Sequence, residues 1–434
     1  MTTQIAIVLG IFLLFLILIL SGKVKIHVAA MMIPIALEMT GVLGFKDAWG
    51  GLLNSSVVMM ASMFVVGAAI GKTNIITNLS KALIKPGASD FKIMCGIAVP
   101  MMFLGCFINA TATMTIMIPM ITAICAEQKR PLSKFMYPAA AFTQIWAGFV
   151  PTGGNAGSYL ANNTIVENLG GVGTWDYFTI MTSKIPVMIV MLPLVLWLSV
   201  KIAPDNGNIP TLADSQQAAA NANAKNRKKG GTLNPNQEKF VIAVFSLCVI
   251  GIVTCALTGI NTWYPSVIAA LVLVFSGVLT DREAINSMGN PVIFITIGTL
   301  PLATALSATG ADVLLADVFN KLTGGLSPVM TMILMYIVCC VLTQFITNSA
   351  VNNAFKMLAA LICVQNGYDA RALMLSTQEG SANCYLFPAA APAMTMGFEA
   401  GGYTVKQHFK QGLYLSLVRF LCFVIWVPMI FPLI

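Results

Sequence analysis

The apolar and polar positions of this chain alternate on the scale of a lipid bilayer. A helix needs about 20 mostly apolar residues to cross one. Segments of that kind recur at 4–20, 27–44, 54–71, 135–162, 175–200, 238–258, 263–280, 290–308, 372–398 and 411–433. Two further apolar regions, 91–126 and 326–365, are each interrupted midway by polar residues, so each predicts either two crossing helices or one re-entrant hairpin. Short amphipathic pieces at 74–86 and 311–322 predict helices lying along the membrane interface.

The two interruptions echo each other. Gly105–Pro119 reads GCFINATATMTIMIP and Thr343–Met357 reads TQFITNSAVNNAFKM. Superposing Phe107-Ile108 on Phe345-Ile346 sets Asn109-Ala110-Thr111 against Thr347-Asn348-Ser349, an offset of 238 residues. Each half also carries a second interruption: GFVPTGGN at Gly148–Asn155 and FPAAAP at Phe387–Pro392. Pro and Gly at these positions predict unwound helix with exposed carbonyls, the alternative being a plain kink.

The basic residues choose between crossing helices and hairpins. If both 91–126 and 326–365 return to the side they entered, eighteen of the 24 Lys and Arg fall on one face. Only Lys46, Lys184, Lys321 and Arg371 fall on the other, while Lys356 and Arg419 stay inside apolar segments. That arrangement gives an all-α polytopic membrane protein with about ten transmembrane helices, two re-entrant hairpins and broken helices at the midplane. The halves have opposite orientation, and both termini lie outside. The first repeat spans 1–202 with its hairpin at 91–126, and the second spans 237–434 with its hairpin at 326–365. Residues 203–236, rich in Asn, Ala, Gly and Lys, predict a flexible cytoplasmic linker. The segment MTTQIAIVLGIFLLFLILIL predicts a first spanning helix rather than a removed signal peptide.

Composition agrees with this reading: 57% of residues are hydrophobic and only 9% charged, against about a quarter charged in soluble proteins. The net charge of +8 therefore reflects topology rather than nucleic acid. The ten cysteines lie in apolar stretches and predict small packing residues, not disulfides or metal ligands.

At a hairpin tip one helix ends and another begins. The beginning helix offers free N–H groups to an anion, and the ending helix offers carbonyls to a cation. Asn, Ser and Thr add further partners, so one tip can hold a carboxylate and a sodium ion together. A single tip could equally be two capped helix ends; two tips in an inverted repeat favour a binding site.

These motifs resemble those of the divalent anion/sodium symporters, which carry dicarboxylates, citrate or sulfate. That family has Ser-Asn-Thr at each tip and a Thr-Pro-Pro-Asn-like motif in each broken helix. Here Thr347-Asn348-Ser349 exchanges the hydroxyls, and Asn109-Ala110-Thr111 replaces the amide by Ala. Thr152-Gly153-Gly154-Asn155 replaces both prolines, and Ala391-Pro392-Ala393-Met394 keeps only the first. The resemblance implies substrate contacts from Asn109, Ala110, Thr111, Thr152, Thr347, Asn348, Ser349 and Pro392. It implies one sodium site at Gly105, Asn109, Ala110 and Pro151, and another at Thr343, Thr347, Asn348 and Ala390, built largely from carbonyls. It also implies a homodimer working as an elevator.

Lys356 follows Ser349 by seven residues, about two helical turns. An intramembrane lysine is costly and marks a functional candidate. Lys356 is expected to pair with a substrate carboxylate or to substitute for a coupling cation, unless it snorkels to the interface. Glu379 is a similar candidate that could face a water-filled cavity.

Only two histidines are present, His27 and His408, each beside a basic segment, and there is no HExxH, so a membrane enzyme is disfavoured. A channel would need a continuous ligand-lined pore. The expectation is an inner- or plasma-membrane secondary transporter without cofactor, coupling sodium to uptake of a di- or tricarboxylate such as succinate or citrate. The alternative is a proton-coupled or exchange-type carrier of sulfate, arsenite or another oxyanion. Neither tip carries an Asp or Glu, which favours sodium.

Overall fold

The structure, a computed structural model, describes residues 3–21, 23–73, 87–211, 233–258, 260–323 and 326–433. Among them are nineteen α-helices and no strand. The first half runs α1 (Thr3–Leu20), α2 (Ile26–Met39), α3 (Phe45–Ala48) and α4 (Ser55–Ile70). A helix pair follows, α5 (Asp90–Gly105) and α6 (Ala110–Gln128), then a broken helix, α7 (Met136–Trp146) and α8 (Ser158–Asn168), and finally α9 (Thr179–Lys201). The second half repeats the order: α10 (Pro235–Thr258), α11 (Trp263–Phe275), α12 (Asp281–Met288), α13 (Pro291–Thr309) and α14 (Ala311–Thr323). Its helix pair is α15 (Pro328–Leu342) and α16 (Asn348–Asn366). Its broken helix is α17 (Ala370–Ser381) and α18 (Pro392–Gly401), and α19 (Val405–Ile430) closes the chain.

Matching caps start matching helices. The Asn54 side chain accepts from Ser56 N at 2.9 Å before α4, and Asn290 accepts from Val292 N at 3.0 Å before α13. Such caps satisfy amide groups that a helix cannot pair itself.

Among the described residues, five helices are long and apolar enough to cross a membrane: 110–128, 179–198, 235–258, 291–309 and 405–430. Four coincide with predicted spans; the fifth is the second arm of the first helix pair. The spans expected at 27–44, 54–71 and 263–280 are helices of 14, 16 and 13 residues. The reason is that their flanking turns are apolar too. Leu43, Val278 and Leu279 are buried in turns, not in helix, and read as continuations of the span.

The linker is also shorter than expected. Residues 203–211 are tied down rather than flexible. Asn208 Nδ2 donates to Gly401 O at 2.8 Å, its carbonyl accepts from Leu132 N at 3.2 Å, and Asn206 Nδ2 donates to Gly402 O at 2.9 Å. Helix α10 already begins at Pro235. The rest of the linker, 212–232, lies outside the described residues, as does the interfacial piece expected at 74–86.

The halves pack reciprocally. Helix α2 lies on α13, α4 lies on α11, and the two final helices, α9 and α19, lie on each other. Helix α18 packs on α6 and α7, while α16 packs on α8. One core joins α1, α2 and α13 to the second helix pair; another joins the first helix pair, α7 and α9 to residues 384–394. Outward faces carry exposed apolar side chains, among them Leu247 and Leu257 on α10 and Leu421 and Ile425 on α19, as lipid contact requires.

The tightest approach of α2 and α13 is at Gly298, where an added Cβ would stand 2.2 Å from Ala30 O. Backbone cannot yield cheaply, so Gly298→Val should destabilise the fold by about 1–3 kcal/mol or more. Thermal unfolding in detergent should show a lowered midpoint, whereas Gly44→Ala, with nothing within 4 Å, should melt like the parent.

Candidate functional site

Each helix pair turns at the expected polar tip, and each tip meets the break in its own half. The first turn occupies Cys106–Asn109. The Asn109 side chain caps α6, accepting from Ala112 N at 2.9 Å. The break between α7 and α8 reaches this turn directly: Thr152 Oγ1 donates to Cys106 O at 2.5 Å. Gly153, at φ +57°, lies so close that a Cβ there would stand 2.7 Å from Phe107 O. A side chain at Gly153 would collide with the tip and would strain a left-handed backbone. Gly105 faces Trp146 at the end of α7, leaving room for no Cβ.

The second turn runs from Thr343 to Thr347. Thr343 Oγ1 donates to Ser381 O at 2.7 Å and lies 3.1 Å from Asn348 Oδ1. Gln344 Nε2 donates to Asn383 O at 2.7 Å, and Gln344 Oε1 accepts from Leu386 N at 3.2 Å. The chain leaving α17 is thereby held to the tip by side-chain amide and hydroxyl groups. It is extended at Ala391, with φ −149° and ψ 143°, and re-enters helix at Pro392.

One helix end touches both tips. Trp146 abuts Gly105 at the first. Two residues earlier on α7, buried Gln144 accepts at Oε1 from Asn348 Nδ2 at 3.4 Å, so the first half reaches the second tip. Asn348 Nδ2 also approaches Cys384 Sγ at 3.3 Å.

The expected site residues divide by exposure. Asn109, Thr347, Ser349 and Pro392 are exposed; Ala110, Thr111, Asn348 and Gly105 are partly buried. Thr152, Pro151, Thr343 and Ala390 are buried. The carbonyl of Pro151 already accepts from Tyr177 Oη at 2.5 Å, leaving it one lone pair. Among the described residues, no hydrogen-bond donor reaches the carbonyls of Gly105 and Thr343, which stand at equivalent places in the two turns. No cluster of His, Cys, Asp or Glu suited to a metal ion occurs among the described residues, so a cation here would be held by main-chain and hydroxyl oxygens. The ten thiols are free and five are buried.

Two charged expectations change. Lys184 does not mark a membrane face: it is buried in α9, 3.3 Å from Glu379 Oε1. Glu379 is 1% exposed and pairs also with Arg419 at 2.7 Å, so it does not face a water-filled cavity. His408, beside a basic segment in sequence, is fully buried, its ring 4.7 Å from that of Tyr137. Lys356 is partly exposed on α16 and has no ion-pair or hydrogen-bond partner among the described residues. Sequence reasoning missed Gln144 and Gln344; the available signal was an amide inside an apolar run, next to a turn.

Two surface recesses of about 260 and 290 Å³ lie away from the tips, beside Tyr159 and Thr262 and beside Val166 and Tyr368. Neither includes a residue of either turn. The interlocked turns, breaks and helix end are therefore the better candidate site.

Comparison with known proteins agrees with this architecture. The chain is 24% identical to the sodium-dependent dicarboxylate transporter SdcS of Staphylococcus saprophyticus, over 93% of this chain and 82% of that one. Against SdcS of Staphylococcus aureus (strain USA300) the identity is 22%, over 88% and 77%. The uncharacterized transporter YfbS of Escherichia coli is 22% identical over 40% of this chain, a match that spans only 28% of YfbS. In fold, the chain is similar to MtrF of Neisseria gonorrhoeae, described as one of a class of antimetabolite efflux pumps, with a TM-score of 0.59, 14% identity and coverage of 98% and 95%. The citrate transporter family (CitMHS) matches residues 16–377, and the chain belongs to that family of integral membrane transporters.

Proposed function

We propose that this chain is a sodium-coupled symporter of a small di- or tricarboxylate, such as succinate or citrate, in the inner or plasma membrane. The observation that carries the reading is the joining of both tips through the end of α7, with Gln144 on Asn348 and Trp146 on Gly105. It makes one site out of two hairpins. Helices α6 and α16 begin there, and their N-terminal amide groups favour carboxylates. Asn109, Thr111, Thr347, Asn348 and Ser349 add polar groups for the anion, with Ala110, Thr152 and Pro392 at its margin. The unpaired carbonyls of Gly105 and Thr343, exactly one repeat offset apart in the sequence, support a sodium site at each turn. Asn109, Ala110 and Pro151 complete the first, and Thr347, Asn348 and Ala390 the second. The names of the SdcS relatives support sodium and dicarboxylate.

The tips meet breaks midway along broken helices, which supports re-entrant hairpins at the midplane. The repeated element order and reciprocal packing support two inverted repeats. In the proposed mechanism the hairpins and broken helices carry the neutralised ion–anion site across as an elevator within a homodimer. The exposed apolar faces of α10 and α11 are available to lipid or a second subunit. The bias of basic residues supports both termini outside and the linker inside. Lys356 favours a second reading, in which a fixed ammonium replaces one coupling cation or meets a substrate carboxylate.

Uptake of radiolabelled succinate, citrate and sulfate into proteoliposomes at fixed membrane potential tests the proposal. Uptake of a carboxylate should require inward sodium. Transport that follows a proton gradient and ignores sodium would refute sodium coupling. Asn348→Ala should weaken apparent affinity for both sodium and substrate by about tenfold or more, the scale of a hydrogen bond to a charge; unchanged sodium activation would count against the shared site. Lys356→Met should raise the substrate half-saturation or alter the ion stoichiometry, and wild-type kinetics in that variant would remove Lys356 from the mechanism.

A further inference from the structure

The helix breaks of the two halves are connected by buried charge. Lys184 of α9 donates to Ala147 O, just past the end of α7, at 2.9 Å, and lies 3.3 Å from Glu379 Oε1. Glu379 Oε2 pairs with Arg419 Nη2 at 2.7 Å. Arg419 of α19 donates to Ala382 O, just past the end of α17, at 3.1 Å, and to the Tyr385 hydroxyl. The side chains of Lys184, Glu379 and Arg419 are 3%, 1% and 0% exposed. Each final helix thus places a cation on the last carbonyls of the first arm of its own broken helix, and one carboxylate joins the two cations. Two cations and one carboxylate leave one positive charge. The two helix C-termini offset it, each end carrying roughly half a negative charge.

We propose that Glu379 is a positioning residue: with Lys184 and Arg419 it forms a strut that holds both helix breaks in one geometry, so that occupancy at one tip is felt at the other. The inference rests on the proposed sodium-coupled reading of the tips. Among the described residues, none of the three is hydrogen-bonded or ion-paired to a tip residue, so each acts through the breaks. A buried pair of this kind is a weak stabiliser compared with apolar packing, and registry is its best-attested use.

The test measures half-saturation for sodium and for radiolabelled citrate, with the steepness of sodium activation, in proteoliposomes. Thermal shifts with sodium and with citrate in detergent run alongside. Lys184→Met keeps the Glu379–Arg419 pair and removes both ties of Lys184, to Ala147 O and to Glu379. It should raise both half-saturation values at least about threefold and flatten sodium activation, while maximal uptake per folded protein stays near wild type. Lys184→Arg, which keeps charge and donor, should restore the parent values. Glu379→Gln should have the larger effect, about tenfold or more. Wild-type half-saturation in both Lys184→Met and Glu379→Gln, with only less folded protein recovered, would make the network merely structural and overturn the strut. A parent protein indifferent to sodium in uptake and in melting would sink the sodium reading alone, since the citrate values still decide on the strut.

Discussion

The structure depends on satisfying main-chain groups where water is scarce. A helix that stops inside an apolar layer leaves carbonyls and amides unpaired, each a cost of several kcal/mol if nothing meets them. Four helices stop this way, at two turns and two breaks, and the chain answers by setting each turn against a break. Thr152 serves Cys106, Thr343 serves Ser381, and Gln344 serves Asn383 and Leu386. Among the described residues, the carbonyls of Gly105 and Thr343 are left without a donor. Burial elsewhere is ordinary helix packing, and its role is to bring these four ends together.

The same constraint explains the placement of charge. Lys184 and Arg419 sit where lysine and arginine would be expensive in a purely apolar bundle, yet both find helix-end carbonyls as well as Glu379. The helix ends attract cations, and the cations attract a carboxylate. Two cations sharing one carboxylate leave a net positive charge that is costly to bury, and the helix-end carbonyls offset it, so charge network and helix breaks support each other.

Much of this was legible in sequence because bilayer thickness and turn chemistry act locally. The tips at Asn109 and Thr347–Ser349 and the breaks at Gly148–Asn155 and Phe387–Pro392 were readable from polar and Pro/Gly residues within apolar runs. The ends of α2 and α11 were not, because Leu43, Val278 and Leu279 are apolar residues buried in turns, and hydropathy cannot separate these from helix. Nor was the partner of Lys184: it lies 195 positions away at Glu379, brought close by the packing of both α9 and α17 on α19. Asn206 and Asn208 look like linker residues by composition, but their amides find carbonyls at Gly401 and Gly402.

The two breaks reach one architecture by different local chemistry. In the first half, glycines at positions 148 and 153 take left-handed backbone, φ +69° and +57°, and let the chain pass close to the tip. The second half has no such glycine in its break. There Pro388 and Pro392 stop the chain from continuing as helix, and a residue before proline is steered to extended backbone. Ala391 has that extended conformation, and Pro392 then opens α18 at the position where its missing N–H costs nothing. Departure from a shared motif in either half is therefore compatible with keeping the break. The main-chain carbonyls of a break survive a change of side chain. The side chains beside the breaks are less constrained: Ala110 and Met394 offer no polar group, whereas Gln144 reaches Asn348.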